Sequence, residues 1–348
     1  MNKTLFAWAV IGAGPAGIAA VGKLIDYGIP PQKIAWIDPA FKVGDLGVRW
    51  HKVASNTKVK FFLKFFKECK IYQAPLLSKD FAIEKIDPEE TCLLALVAEP
   101  LQHITNHLKS KVKTIQDKVQ KLKLYNRRWQ ITLKDLKINA NNVIMAIGAE
   151  PTSLAFPNIE EIPLYIALNP DQLRSISKKE DTIAVFGSSH SAIIVLKTLL
   201  GQCRVKKIIN FYLSPLRYAV YFDDWILFDN TGLKGTIAEW ARKYINGKLP
   251  AKLQRLISNE ENIKNILGCC NKVIYATGFQ KRHIAIEGMP TIECNEQSGI
   301  MAPGLFGLGI AFPEAKVDRY GILEYQVGLW KFMEYLNRIL PLWLKYGT

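Results

Sequence analysis

Short apolar runs punctuate the chain, and most stop at a glycine or at an acidic residue: FAWAVI before Gly12, KIAWID over Lys33 to Asp38, NVIMAI before Gly148, DTIAVF before Gly187 and KVIYAT before Gly278. KKIINFY over Lys206 to Tyr212 and GLFGLGIA over Gly304 to Ala311 complete the set. Runs so short and so continuously apolar predict strands buried on both faces, as in parallel sheets. Two of them lead straight into helical patterns, Ile18 to Tyr27 and the stretch through Leu200. Strand, tight turn and helix in that order predict an α/β protein.

Other stretches carry different patterns. Leu122 and Leu124 alternate with Lys121 and Lys123, and Trp129, Ile131 and Leu133 alternate with Gln130, Thr132 and Lys134, with Asn126, Arg127 and Arg128 between. Period two on both sides of a polar turn predicts an antiparallel hairpin whose lysines form a solvated face. Asp87-Pro88-Glu89-Glu90 predicts a helix start, and Pro100 predicts the opening of a helix running to Leu108. Asp229, Asn230, Thr231, Gly232 and Gly235 mark a turn-rich loop before a short amphipathic helix. Near the end, the aromatic amphipathic stretch from Tyr325 to Leu344 is expected to dock on the first domain, a membrane-surface or partner helix being the alternative.

The turn at Gly12, Ala13, Gly14, Pro15, Ala16 and Gly17 carries the first chemistry. Gly12 lets the backbone turn sharply, Gly14 leaves no side chain against a pyrophosphate, and Gly17 lets the helix approach the strand. Unpaired N–H groups at a helix start favour an anion without any basic side chain. Asp38, at the end of the next strand, is placed as an acceptor for an adenosine ribose. Gly187, Ser189 and Ala192 repeat the plan with a serine where the second glycine would stand, so a second, weaker nucleotide site is expected. The strand ending at Tyr212 lacks a terminal carboxylate and is followed by Arg217, which favours a ribose 2′-phosphate and hence NADPH over NADH. Between the two motifs, Gly44 and Gly47 permit close backbone approach, and Trp50, His51, Ser55, Asn56 and Thr57 offer ring surface and neutral hydrogen-bonding groups. Ser55 or Asn56 capping the following helix is the plainer reading of those two residues.

Composition narrows the partners. The 348 residues suit about two domains, and 49% hydrophobic content supports a sizeable core. A net charge of +15 attracts acidic partners of any kind, but the basic residues are spread along the whole chain and no nucleic-acid module or zinc-ligand spacing occurs. No nucleic-acid partner and no metal are expected. Cysteines at 69, 92, 203, 269, 270 and 294 form no CxxC or CxxxxC pair, which fits a reduced cytoplasmic compartment and argues against a disulfide reductase. No apolar run is long enough to span a bilayer.

The order of these motifs resembles the FAD domain of two-dinucleotide-domain flavoproteins: a GAGPAG turn, an acidic residue after the second strand, a β-meander, then an apolar strand ending in Gly148-x-x-Pro151. Within that group, the GDLG…SNT segment resembles class B flavin-dependent monooxygenases of the N-hydroxylating and Baeyer–Villiger kinds. The resemblance implies two Rossmann-like domains, an FAD domain over residues 1–160 and 285–348 and an inserted NAD(P) domain over 161–284. It implies cofactor contacts at Gly12, Gly14, Pro15, Ala16, Gly17, Asp38, Pro39, Gly47, Trp50, Thr57, Val119, Ala146 and Gly148, and at Gly309 and Ile310. For the second nucleotide it implies Gly187, Ser188, Ser189, His190, Ser191, Arg217, Thr277 and Gly278. Ile310 stands where many relatives carry an aspartate that bonds the ribityl chain, so the backbone must serve there. Asn56 is implied beside the reactive edge of the flavin. The activity implied is NADPH-dependent oxygenation of a small molecule by molecular oxygen through a flavin hydroperoxide. An NAD(P)H oxidase or quinone reductase, and a non-catalytic nucleotide-binding regulator, are the alternatives.

Overall fold

The computed structural model describes residues 5–289 and 291–346. The chain divides into two compact units. One comprises residues 1–51, 57–149 and 281–348, and the other residues 52–56 and 150–280.

The first unit is built on a nine-stranded sheet. Leu5–Ile11 lies in its middle, with Ile34–Ile37 and then Lys113–Ile115 on one side and Lys137–Met145 on the other, all parallel. The strand Lys137–Met145 has two halves with different partners. Residues 137–140 pair antiparallel with Arg128–Thr132, which in turn pairs with Lys121–Tyr125, while Val143 to Met145 pair in parallel with Leu305–Gly307. A meander thus peels away from a parallel sheet along one shared strand. The hairpin turn uses Asn126 and Arg127, with φ of 48° and 59°, the left-handed pair that a two-residue turn requires. Lys121 and Lys123 face the carboxylate of Glu287 on the neighbouring strand Ala285–Glu287.

Helix Pro15–Asp26 packs on this sheet through Ile18, Ala19, Val21 and Leu24, all fully buried. The terminal helix Leu329–Tyr346 packs against it and against Val59–Glu68. Met333, Leu336, Leu340 and Trp343 are buried, and the Trp343 ring stacks 4.6 Å from Phe306, which stacks on Trp8. Each such side chain contributes about 1.5–3 kcal/mol by leaving water. The apolar face of this helix is therefore spent on the core of its own unit, as a docked helix requires. Glu68 accepts from Lys23 Nζ at 2.7 Å and from Asn337 Nδ2 at 2.8 Å, tying the three helices together.

The second unit repeats the parallel plan. Its five strands run in the order Glu160–Glu161, Lys272–Tyr275, Thr182–Phe186, Lys207–Tyr212, Leu253–Ile257. Helix His190–Gln202 follows the central strand as Pro15–Asp26 does in the first unit. Asp181 is buried at the entrance to that strand, where burial raises the cost of its charge. The Lys178 N–H, the Asn271 amide and Lys272 Nζ at 2.9 Å outweigh that cost and hold the carboxyl below its ordinary range.

Three local expectations are corrected. The helix around Pro100 begins earlier, at Leu94, and runs to Lys109 with the proline inside it. Burial of Val97, Leu101, Ile104 and Leu108 and the Ala95 N–H bond to the His51 carbonyl at 2.8 Å outweigh the helix-breaking cost of about 3 kcal/mol. Asp87 starts no helix. Its Oδ1 accepts from the Glu89 N–H at 2.8 Å and its carbonyl from Glu90 at 3.0 Å, a local turn in which the side chain competes with helix formation. Finally, helix Val59–Glu68 has Lys58 at its N-cap with no side-chain capping bond, so neither Ser55 nor Asn56 caps it. Both lie within the strand Ala54–Lys58.

Candidate functional site

Gly12 follows the last paired residue of the central strand with φ +109°, and a Cβ there would overlap the carbonyl oxygen of Ala146. Its N–H donates to the Ile37 carbonyl at 2.8 Å and its carbonyl accepts from Trp36 Nε1 at 2.9 Å. Gly17 is equally confined, since a Cβ on it would strike the Gly12 carbonyl. These two glycines are demanded by protein packing. Gly14 differs: a Cβ on it would find only Gly44 Cα, at 3.9 Å. Gly14 is the extended N-cap of the helix, Pro15 is at N1, no side chain caps this end, and the first turn carries no acidic residue. The first intrahelical bond runs from the Ile18 N–H to the Gly14 carbonyl. An uncapped twelve-residue helix behind a bare glycine fits the pyrophosphate of a dinucleotide.

Asp38 is brought to this turn, but its carboxylate is occupied by backbone. Oδ2 accepts from the Ala13 N–H at 2.8 Å, and Oδ1 accepts from the Ala40 and Phe41 N–H groups at 2.8 and 2.7 Å. With only 8% of its surface exposed, the residue braces the glycine turn against the loop after Pro39. That loop enters a short helix, Gly44–Val48. Gly44, at φ +57°, backs onto Gly14 so closely that a Cβ on it would be 2.9 Å from Gly14 Cα, and Gly47 is confined by the Lys42 carbonyl. The Trp50 N–H donates to the Asp45 carbonyl at 3.0 Å.

Two later segments converge on the same turn. Gly309, at φ +87°, lies against Ala16, where a Cβ would come within 2.7 Å of the alanine Cβ, and Ile310 follows it, packed at the edge of the core. Arg282 donates from Nη2 to Asp45 Oδ2 at 2.5 Å and from Nη1 toward the Ile147 carbonyl at 3.4 Å, beside Gly148 at φ +73°. Neither Arg282 nor Asp45 was singled out by sequence, and no local signal could have paired residues so far apart. Val119 is buried in the cluster on the opposite sheet face, among Ile37 and Met145. Thr57 lies on the strand Ala54–Lys58.

In the second unit Gly187 has φ +122° and a Cβ on it would overlap the Ala276 carbonyl oxygen, the same relation as Gly12 to Ala146. Ser188 is half-buried, and Ser189 is the exposed, extended N-cap of the thirteen-residue helix, again without a side-chain capping bond or an acidic first turn. Ser191 lies in that first turn. His190 opens the helix with Nε2 at 3.2 Å from the Ala54 carbonyl, and burial, reinforced by Lys234, pushes its pKa below the ordinary 6.5. The ring is therefore neutral at physiological pH. Asn210 braces the turn from the next strand, donating to the Val185 and Gly187 carbonyls at 3.0 and 2.8 Å. Thr277 and Gly278 are exposed beyond the strand end, bonded to Thr152. Arg217 is exposed, its guanidinium 4.7 Å over the Phe228 ring. Asn56 is half-buried.

The comparisons agree with this architecture. Residues 6–210 match the family model of the pyridine nucleotide-disulphide oxidoreductases. The monooxygenase AgnR1 of Paecilomyces divaricatus is 33% identical, over 96% of this chain and 97% of its own length. Among solved structures, a flavin-containing monooxygenase from Stenotrophomonas maltophilia superposes with a TM-score of 0.65 at 15% identity, over 99% of both chains. The ornithine N-hydroxylase of Kutzneria sp. 744 superposes with a TM-score of 0.68 at 10% identity, over 98% and 99%.

Proposed function

The chain belongs to the pyridine nucleotide-disulphide oxidoreductase family and is a flavin-dependent oxidoreductase of the monooxygenase kind; on that footing we propose which of its residues serve FAD, NADPH and oxygen. The first unit takes FAD, with the pyrophosphate over Gly14 and the start of the Pro15 helix. Gly44, Gly148 and Gly309 supply backbone close to that turn, and Arg282 holds Asp45 beside it. The second unit takes NADPH over Ser189 and the start of the His190 helix. Held there, FAD would supply the redox chemistry between NADPH and oxygen. The residues of this chain bind, orient and keep water out. The substrate is a small molecule, and the compartment is the cytoplasm. Among the described residues no helix is long and apolar enough to cross a membrane.

The observation that carries this reading is the twofold occurrence of one device: a glycine in the left-handed region against an alanine carbonyl, followed by an uncapped helix. The cysteines support oxygen over a disulfide as acceptor. They are free, and Cys69, Cys92, Cys203 and Cys270 are buried. The test is spectroscopic. Purified protein is expected to bind FAD one to one, to be bleached anaerobically by NADPH and to recolour in air. Protein that takes up no FAD would sink the proposal, and rapid anaerobic bleaching with no response to oxygen would move it to a reductase.

A further inference from the structure

Arg255 stands on the edge strand Leu253–Ile257, in register with Asn210. Its Nε donates to Asn210 Oδ1 at 2.9 Å, and the same asparagine holds the carbonyls of Val185 and Gly187. Its guanidinium lies 4.4 Å over the ring of Tyr212, the last residue of the strand that follows the glycine-turn helix. Arg255 Nη2 is buried and has no hydrogen-bond partner. The Tyr218 hydroxyl, beside Asn246 and under the influence of both Arg242 and Arg255, is also buried and closes no hydrogen bond of good geometry. Arg242 lies 4.0 Å over the Tyr218 ring. Arg49, Arg174, Arg282 and Arg338 each face a carboxylate, whereas Arg242 and Arg255 form no such pair among the described residues.

Arg242 is exposed and loses little by lacking a counter-ion, so the cost falls on the two buried donors without acceptors, Arg255 Nη2 and the Tyr218 hydroxyl. Burial pushes the Arg255 guanidinium below its ordinary range, so desolvation of this cation is felt. A phosphomonoester relieves it, because its oxygens accept from a guanidinium fork and a phenol together. The place suits one such group. In an open parallel sheet the adenosine end of a dinucleotide lies at the carboxyl end of the second strand, here Tyr212, which carries no acidic residue.

We propose that Arg255, with Tyr218 and Arg242, is the socket for the 2′-phosphate of NADPH, and that preference over NADH resides there and not in Arg217. The proposal rests on the reading of the second unit as the NADPH domain. Asn210 links the socket to the turn: the group that reads the 2′-phosphate leans on the residue that shapes the pyrophosphate loop.

The test is equilibrium titration of FAD-loaded protein with NADP⁺, NAD⁺, 2′-AMP and 5′-AMP, followed by calorimetry. In the unmodified protein NADP⁺ and 2′-AMP are expected to bind more tightly than NAD⁺ and 5′-AMP. Arg255→Leu is expected to weaken NADP⁺ and 2′-AMP by about ten- to a hundred-fold while leaving NAD⁺ nearly unchanged. Arg255→Lys and Tyr218→Phe are expected to fall between, and they carry the test if Arg255→Leu does not fold. Arg217→Ala is expected to keep the ratio. Equal losses for NADP⁺ and NAD⁺, or an unchanged ratio in every Arg255 and Tyr218 variant, would overturn the socket while leaving the NADPH reading intact. Unmodified protein that binds neither dinucleotide would overturn that reading, and the socket with it.

Discussion

Gly12 sits against Ala146 so closely that a single methyl group on the glycine would overlap the alanine carbonyl oxygen, and Gly187 meets Ala276 in the same way. At φ +109° and +122° an alanine would also be strained by its own backbone. Gly12→Ala and Gly187→Ala are each expected to lower stability by at least roughly 1–3 kcal/mol, read by thermal unfolding. Gly14→Ala separates packing from binding. Nothing confines a Cβ at Gly14, so its melting temperature in the absence of flavin should stay near that of the parent while FAD affinity falls. A Gly12→Ala variant that melts with the parent would refute the packing argument.

Asp38 gives the second prediction. Three backbone N–H groups converge on its two oxygens, and an amide offers one oxygen where the carboxylate offers two. Asp38→Asn should leave at least one buried N–H unmet and cost about 1–3 kcal/mol in the flavin-free protein. Were the residue only a ribose acceptor, the apo-protein would be unaffected and the loss would appear solely in FAD affinity. Melting of the two forms, measured side by side, distinguishes the roles.

The same residue shows where sequence stops. Asp38 was visible because a strand ends in a carboxylate at a fixed distance from a glycine turn, but the spacing is silent on whether that carboxylate faces a ribose or its own loop. The buried strands were legible because a short, continuously apolar run closed by glycine has no polar face to turn toward water. The proline inside Leu94–Lys109 was not, since the burial that overrides it comes from other elements. Arg282 and Arg255 were beyond reach for a related reason. Each acts through a partner that the fold supplies, Asp45 for one and Asn210 across a strand register for the other. Asn56 misled in the other direction: SNT before an amphipathic run reads as a cap, yet Lys58 takes the cap position.

His190 yields a pH dependence. Burial, with Lys234 adding to it, holds the folded-state pKa below the ordinary 6.5, so the unfolded chain takes up the proton first as pH falls. Stability from this group is full above pH 6.5 and is lost as pH drops below it toward the folded value. His190→Gln is expected to flatten that part of the stability profile, read as the denaturation midpoint between neutral and mildly acidic pH. A variant with the parent's slope would show that the acid loss comes from other groups.

Asn56 gives the last prediction, which concerns the fate of oxygen. The strand position removes the capping role, for which the expected loss was about 1 kcal/mol of stability and nothing else. What remains is a half-buried neutral amide in the segment that the resemblance sets beside the flavin edge. Such a group donates a hydrogen bond to an oxygen that is gaining negative charge, and it adds no charge of its own. Loss of one donor of this type typically costs about a hundred- to a thousand-fold in the step it assists. Asn56→Ala should therefore bind FAD and be reduced anaerobically by NADPH much as the parent is, yet release hydrogen peroxide at least about ten-fold faster per enzyme when NADPH and air are supplied without substrate. This assay needs no knowledge of the substrate, because in its absence peroxide release reports only how well reduced oxygen is retained. Asn56→Asp sharpens it: a carboxylate accepts but does not donate, so peroxide release should rise at least as far, even though the side chain is nearly the same shape. Unchanged peroxide release in both variants, with only the melting temperature lowered, would make Asn56 a structural residue.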